Sequence, residues 1–323
     1  MSTETLRPAR ASGSRIMAAA ALCAGVCVFS LQDVILKWIS GTYPLSEAVA
    51  MRAVTALPIL LVMVHLRSGL GSLVSRRLGR HLLRGSIMMS AYSAYYLALP
   101  AMKLAEAVTL YFTAPLFITA LAYPMLGERV GLNRWLAVIA GFLGVVVTYR
   151  PGLGLFDWAS LLPVAAAFSY GVAQLMARQI GATESATALA FYQNLAYLLG
   201  ALLLAAVFGS GAFAYPNMHP SMAFLLRPWS FAHPVDLLLL ACCGLIAAIG
   251  SVLLTQAYRT AEANFVASFE YSGLIWATGW GFFVFGEVPD IYIIAGAALI
   301  IGAGLYMLVA RDRSVARNDP PGM

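Results

Sequence analysis

Ten apolar segments follow one another along this chain, at roughly 16–39, 45–66, 82–101, 104–126, 131–149, 157–178, 185–208, 234–258, 262–286 and 289–310. A helix of about 20 residues spans the roughly 30 Å hydrocarbon core of a bilayer. Lipid offers backbone N–H and C=O groups no partner, so such segments must satisfy themselves as helices. The breaks carry turn chemistry: Pro44, Gly127-Glu128-Arg129, Arg150-Pro151-Gly152 and Gly286-Glu287-Val288-Pro289. The break at 102–104 is short. Only 11% of the residues are charged and 61% are hydrophobic, against about 25% charged in a soluble domain. The expected class is an all-α integral membrane protein. The first segment starts like a secretory leader after Arg15, but it runs on past Phe29 and carries Asp33 and Lys37. It is expected to stay as a span.

The net charge of +6 does not point to nucleic acid, because the basic residues fall in short clusters between apolar runs. With the N-terminus inside, Arg7, Arg10, Arg15, the cluster Arg67, Arg76, Arg77, Arg80 and Arg84, and most later breaks lie on the inner side. The outer breaks keep only Lys103, Arg150 and Arg227. The asymmetry predicts that both the 1–15 and the 311–323 tails are cytoplasmic. Cys23, Cys27, Cys242 and Cys243 sit inside apolar segments without metal-type spacing and read as packing residues. The histidines at 65, 81, 219 and 233 lack ligand spacing, and Gly152-x-Gly154 is a turn rather than a phosphate loop. No cofactor or metal is expected.

The chain repeats itself. Phe29-Ser30 recurs as Phe168-Ser169, and Ser46 as Ser185, at an offset of 139. "YFTAPLFITALAYPMLGE" (111–128) aligns with "EYSGLIWATGWGFFVFGE" (270–287) at an offset of 159. The longer connection at 209–233 accounts for the difference. Segments one to five (16–150) and six to ten (151–310) therefore read as two copies of one unit. An odd number of spans per copy turns the second upside down in the membrane. Ten transmembrane helices as two inverted five-helix repeats is a secondary-transporter design, with a site near the midplane.

These features, with "TAPLFITALAYPMLGERVGLNRWLAVIAGFLGVVV" and "FEYSGLIWATGWGFFVFGEVPDIYIIAGAALIIGAGLY", resemble the EamA family of the drug/metabolite transporter superfamily. The resemblance covers about 16–310. The "EYSGLIWA…FGEVPD" form is most similar to a bacterial subgroup containing S-adenosylmethionine and riboflavin transporters. It implies alternating-access transport of a small organic metabolite across the bacterial inner membrane: amino-acid-like, S-adenosylmethionine-like, or a flat-ring vitamin. The loop "MHPSMAFLLRPWSFAHP" departs from the compact family pattern. An intramembrane enzyme and a channel-like facilitator are the rival readings. The implied partners are a small-molecule substrate and membrane lipid, not nucleic acid; a homo-oligomer is compatible with the chain.

Candidate site residues are the polar and aromatic groups at depth. A carboxylate in a span costs about 3 kcal/mol on insertion scales, so Glu270 in the ninth segment asks for a role: substrate ligand, proton-coupling acid, or structural tie between helices. Its helical neighbours would be Gly273, Leu274, Ala277 and Gly281, a small face. Asp33 is a second coupling candidate and can pair with Lys37 at i,i+4, while Lys37 can also snorkel outward. Arg52 lies deeper and could hold a substrate carboxylate or pair with Glu270 or Asp33. Tyr92, Tyr95 and Tyr96 make an i, i+3, i+4 stripe, joined by Tyr111, Phe112, Tyr271 and Trp276, as an aromatic pocket or as packing. Gln193, Asn194 and Gln256 are substrate contacts or helix–helix bonds. Glu128 and Glu287 read as turn and cap residues.

Overall fold

Segments that are apolar on all sides satisfy their backbone as helices and bury one another. The computed structural model describes residues 7–75, 77–127, 131–149, 157–180, 186–231, 233–260 and 269–318, and no strand occurs among them. The helices are α1 (Arg7–Ile39), α2 (Leu45–Arg67), α3 (Leu78–Ala98), α4 (Leu104–Tyr111), α5 (Ala114–Leu126), α6 (Leu132–Tyr149), α7 (Leu161–Ile180), α8 (Ala186–Phe208), α9 (Pro220–Leu226), α10 (Pro234–Thr260), α11 (Gly273–Phe285) and α12 (Ile291–Asn318). Among the described residues, five helical stretches are long and apolar enough to cross a membrane: Ile16–Ile39, Leu45–Arg67, Leu104–Leu121, Trp158–Ala177 and Thr187–Phe208. Trp135–Thr148, Pro234–Gly250 and Ile291–Tyr306 are shorter apolar helices. Exposed Leu203, Ile275 and Phe283 give the exterior the apolar coat that lipid requires.

The fourth segment is not one unbroken helix. α4 stops at Tyr111 and α5 starts at Ala114. Pro115 removes the N–H that would continue the ladder, and the Thr113 hydroxyl takes the Leu110 carbonyl at 2.7 Å. In the ninth segment a 3₁₀ turn at Glu270–Ser272 precedes α11. Residues 261–268, including Glu262, lie outside the described residues. The bounds obey the offset of 159 read from the sequence, since Ala114 and Leu126 correspond to Gly273 and Phe285. Gly127 and Gly286 correspond too, and both are left-handed, at φ 71° and 66°. Glu128 lies outside the described residues.

The principal helix pairs are α1 with α10, α3 with α7, α2 with α8 and α10, α3 with α8, α5 with α7, α1 with α11, α4 with α11, and α6 with α12. The largest core cluster gathers Leu36, Tyr43, Leu45, Leu99, Leu104 and Phe224. Phe224 comes from the long 209–233 connection, which folds back as α9 onto the α1–α2 turn. Glu47, fully buried, accepts the backbone N–H groups of Ser230 and Phe231 at 3.1 and 3.2 Å. The Trp229 indole N–H donates to Ser46 Oγ at 2.8 Å, and the Arg227 guanidinium to the Ser40 carbonyl at 2.8 Å.

Candidate substrate site

Gln32 and Asp33 sit on the last two turns of α1, and Arg52 lies about 10 Å along α2 from its start. α3 brings Tyr92, Tyr95 and Tyr96 to them on one face, because residues three and four apart share a helix side. The result is a continuous hydrogen-bonded chain. Arg52 Nε donates to Gln32 Oε1 at 2.9 Å, and Gln32 Nε2 donates to Tyr96 Oη at 2.8 Å. Tyr96 in turn donates to Asp33 Oδ1 at 2.7 Å, and Tyr95 to Asp33 Oδ2 at 3.4 Å. From its other arm, Arg52 donates to Asn194 Oδ1 on α8 at 3.2 Å. Asn194 completes its own bonding to the Ala190 carbonyl at 3.0 Å. Each bond to an ionised group is worth about 1.5–3 kcal/mol, which offsets part of the cost of burying the charge.

Tyrosines carry the site onward. The rings of Tyr197, Tyr92, Tyr96, Tyr95, Tyr111 and Tyr170 follow one another with centroids 5.2, 4.3, 5.1, 5.2 and 5.6 Å apart. This row draws on α3, α4, α7 and α8. The Arg52 guanidinium lies over Tyr92 at 4.9 Å and Tyr197 at 5.3 Å, in cation–π range. Gln193 Nε2 reaches the Tyr197 hydroxyl at 3.1 Å.

Several expectations are corrected. Arg52 pairs with neither Asp33 nor Glu270; two amides and two aromatic faces hold it. Lys37 forms its ion pair with Glu287, not with Asp33, and also donates to the Met102 carbonyl at 2.6 Å. Four residues along α1 separate Asp33 from Lys37, yet each turns to a different neighbour: Asp33 to α3, Lys37 to the end of α11. Glu287 does act as a cap, but of another helix: its second oxygen accepts the Leu104 N–H at 2.8 Å, at the start of α4. Arg84 is no loop residue of the inner face. It lies in α3, is 8% exposed, and donates to the Ala173 carbonyl of α7 at 3.3 Å.

Glu270 does not sit within a continuous helix. It opens the 3₁₀ turn before α11, where a carboxylate suits the positive end of a helix. It is half-buried and close enough to act electrostatically on Tyr111 and Tyr170, at the far end of the tyrosine row. Tyr271 and Phe112, which correspond under the 159 offset, meet edge to face at 5.2 Å beside α12 rather than joining the row. The Trp276 indole N–H is buried and makes no hydrogen bond among the described residues. Gln256 lies in α10, but its side chain is outside the described residues. Gln32, Tyr170, Tyr197 and Arg84 were missed as site residues. Tyr197, four residues beyond Gln193 on the same helix face, carried a legible signal; Tyr170 and Arg84 did not.

This buried polar chain among apolar helices is the candidate substrate site. The model of the EamA-like transporter family matches residues 16–150. The chain is 30% identical to the riboflavin transporter of Rhizobium johnstonii, over 89% of this chain and 90% of that one. It is 25% identical to the S-adenosylmethionine uptake transporter of Rickettsia prowazekii, covering 90% and 95%. To the pseudopaline exporter of Pseudomonas aeruginosa it is 29% identical, covering 85% and 90%. A solved crystal structure superposes with a TM-score of 0.62 at 17% identity, over 94% of this chain and 99% of that one, which is a likeness of fold. The chain belongs to the EamA-like transporter family. Its function is secondary transport of a small metabolite.

Proposed function

We propose that the chain carries a small organic metabolite with a flat ring across the bacterial inner membrane, by alternating access of two inverted five-helix repeats about the Asp33–Tyr96–Gln32–Arg52–Asn194 chain. The observation that carries this reading is that chain itself. It ties α1, α2 and α3 of one half to α8 of the other, at depth, through groups that can exchange partners with a solute.

The helix pairing supports the repeat. Exchanging α1, α2, α3, α5 and α6 for α7, α8, α10, α11 and α12 turns α1–α10 into α7–α3, α2–α10 into α8–α3, and α5–α7 into α11–α1. The pairs α2–α8 and α6–α12 map onto themselves. The proposed units are 16–150 and 151–310, with 209–233 as an outer cover and cytoplasmic tails at 1–15 and 311–323. In this reading Asp33 and Glu270 are the coupling acids, Asp33 at the middle of the tyrosine row and Glu270 near its Tyr170 end. Arg52, Asn194, Gln193, Tyr95, Tyr96 and Tyr111 touch the substrate, and a ring stacks among the tyrosines. Phe112 and Tyr271 support them from behind. Names of relatives include both uptake and export, so direction is set by gradients and coupling.

The test is a metabolite screen in proteoliposomes, with riboflavin and S-adenosylmethionine among the solutes. Saturable uptake accelerated by trans solute supports a carrier. Unsaturable flux without counterflow would replace it by a channel, and solute breakdown without net movement would replace it by an enzyme.

A further inference from the structure

Among the described residues, two buried guanidiniums pair with no carboxylate. Arg52 is 5% exposed and its hydrogen-bond partners are the amide oxygens of Gln32 and Asn194. Arg84 is 8% exposed and, among the described residues, hydrogen-bonds a backbone carbonyl, that of Ala173. No ion pair to either occurs among the described residues. Neutral acceptors and ring faces compensate a buried cation only in part, and an unpaired charge in a low-dielectric interior is expensive.

The two arginines flank one spot. Arg52 stands over the ring of Tyr197, and both guanidiniums act electrostatically on that tyrosine. The α3 backbone next to Arg84 presses on α8 directly: a Cβ at Gly85 would lie 2.5 Å from the Ala196 Cβ and 3.4 Å from the Tyr192 carbonyl. Beside Arg52, the Tyr92 hydroxyl is buried and makes no hydrogen bond among the described residues. Arg52 and the orphaned Tyr92 hydroxyl therefore lie at the Tyr197 end of the row, Arg84 lies near both Tyr197 and Tyr170, and Asp33 bonds the middle of the row through Tyr95 and Tyr96.

We propose that Arg52, Arg84 and the Tyr92 hydroxyl form a subsite for an anionic group of the transported molecule, a carboxylate or a phosphate, with its ring lying along the tyrosines. This rests on the reading of the same site as the substrate site. A guanidinium fork suits both anions because it offers paired N–H donors to paired oxygens. Asp33, bonded to Tyr95 and Tyr96 in the middle of the row, sets an acid beside these cations. An anion carrying a ring or an amine fits it better than a neutral ring.

The probes are benzoate and its neutral isostere benzamide, titrated at matched ionic strength into the full chain in lipid nanodiscs. Benzoate should bind and raise Tm, and benzamide should bind at least about tenfold more weakly. Arg52→Gln and Arg84→Gln should each weaken benzoate by about tenfold or more, while Arg84→Lys keeps part of the affinity and Tyr92→Phe loses less. Equal response to both probes, or full benzoate affinity in Arg84→Gln, overturns the subsite. Should the arginine variants fail to accumulate, the parent protein decides. Benzoate, but not benzamide, must shield both Arg52 and Arg84 from modification by butanedione, read by peptide mass; an unshielded Arg84 overturns the proposal. Phosphate replacing benzoate in the same assay separates the two anions. Benzoate held by both arginines in a protein that exchanges no solute would sink the transport reading alone. Counterflow of solutes with no benzoate binding would sink the subsite alone.

Discussion

Asp33 is the acid most fully engaged with its neighbours in the central site, since both of its oxygens accept from tyrosine hydroxyls of α3. Asp33→Asn keeps the shape and one acceptor but removes the charge. We expect normal membrane levels and at least about a tenfold loss of coupled transport, consistent with the loss of a charged hydrogen-bonding group. Transport equal to the parent would remove Asp33 from the mechanism. Glu270→Gln should behave differently. Its carboxylate lies at the start of α11 rather than in the hydrogen-bonded chain, so the variant should fold and keep transporting, with an altered dependence on the proton gradient. An unchanged dependence would reduce Glu270 to a helix-end charge. Gln32→Ala probes stability. It strips Arg52 of an acceptor and Tyr96 of a donor while both stay buried, at a cost of about 1–3 kcal/mol in a thermal melt.

At the scale of the element, α6 and α12 cross with backbone nearly touching backbone. A Cβ at Gly296 would lie 1.9 Å from Thr148 Oγ1 and 2.7 Å from the Gly144 carbonyl, and one at Gly144 would lie 2.8 Å from the Gly296 carbonyl. Carbonyls cannot swing away as a side-chain end can. Gly296→Ala should therefore cost about 1–3 kcal/mol of stability, as overpacking generally does. A melting temperature equal to the parent's would mean that the crossing is looser than drawn. Gly302, with nothing within 4 Å of a Cβ, is the control on the same helix. The breaks in the fourth and ninth segments belong to this scale too. Pro115 announces the first in the sequence, but nothing comparable announces the second: Gly273 alone is a weak signal. The Gly286-Glu287-Val288-Pro289 break marked the end of α11, and only the match of the two segments at 159 residues pointed to its start.

For the whole molecule, one set of contacts ties α1, α4 and the end of α11 together. Lys37, on α1, meets Glu287, just past α11, and Glu287 also holds the first N–H of α4. Lys103 donates to the Val288 carbonyl at 2.6 Å. At the offset of 139 read from the sequence, the position matching Lys37 is Met176, which carries no charge. With side chains 10% and 18% exposed, the pair is screened little by water. A double-mutant cycle with Lys37→Met and Glu287→Gln should give a coupling of about 1–3 kcal/mol. A coupling near zero would leave Glu287 as a helix cap alone. The orientation has its own check. A cysteine at Arg77 should react with an impermeant thiol reagent only after the membrane is opened, and labelling in intact cells would reverse the assignment of the tails.

Sequence alone determined that this chain lives in a bilayer, because too few charged residues exist to coat a soluble fold and the apolar runs match the membrane thickness. It also determined the helical class, the internal correspondence of segments, and the aromatic stripe of α3, all of which are periodic or local. It pointed to Arg52, Asp33 and Asn194 simply because polar groups are costly in apolar runs. It could not say who meets whom. Asp33 and Lys37 look like partners at i,i+4, yet neighbouring helices take each of them away, and Arg84 looks like one of a row of surface charges until α7 and α8 pack over it. The 209–233 connection looked like an irregular insertion, yet it seals onto the buried carboxylate of Glu47. Such partnerships join residues from 20 to 250 positions apart. They depend on which helix faces pack together, and packing is a property of the assembled bundle that no local window contains.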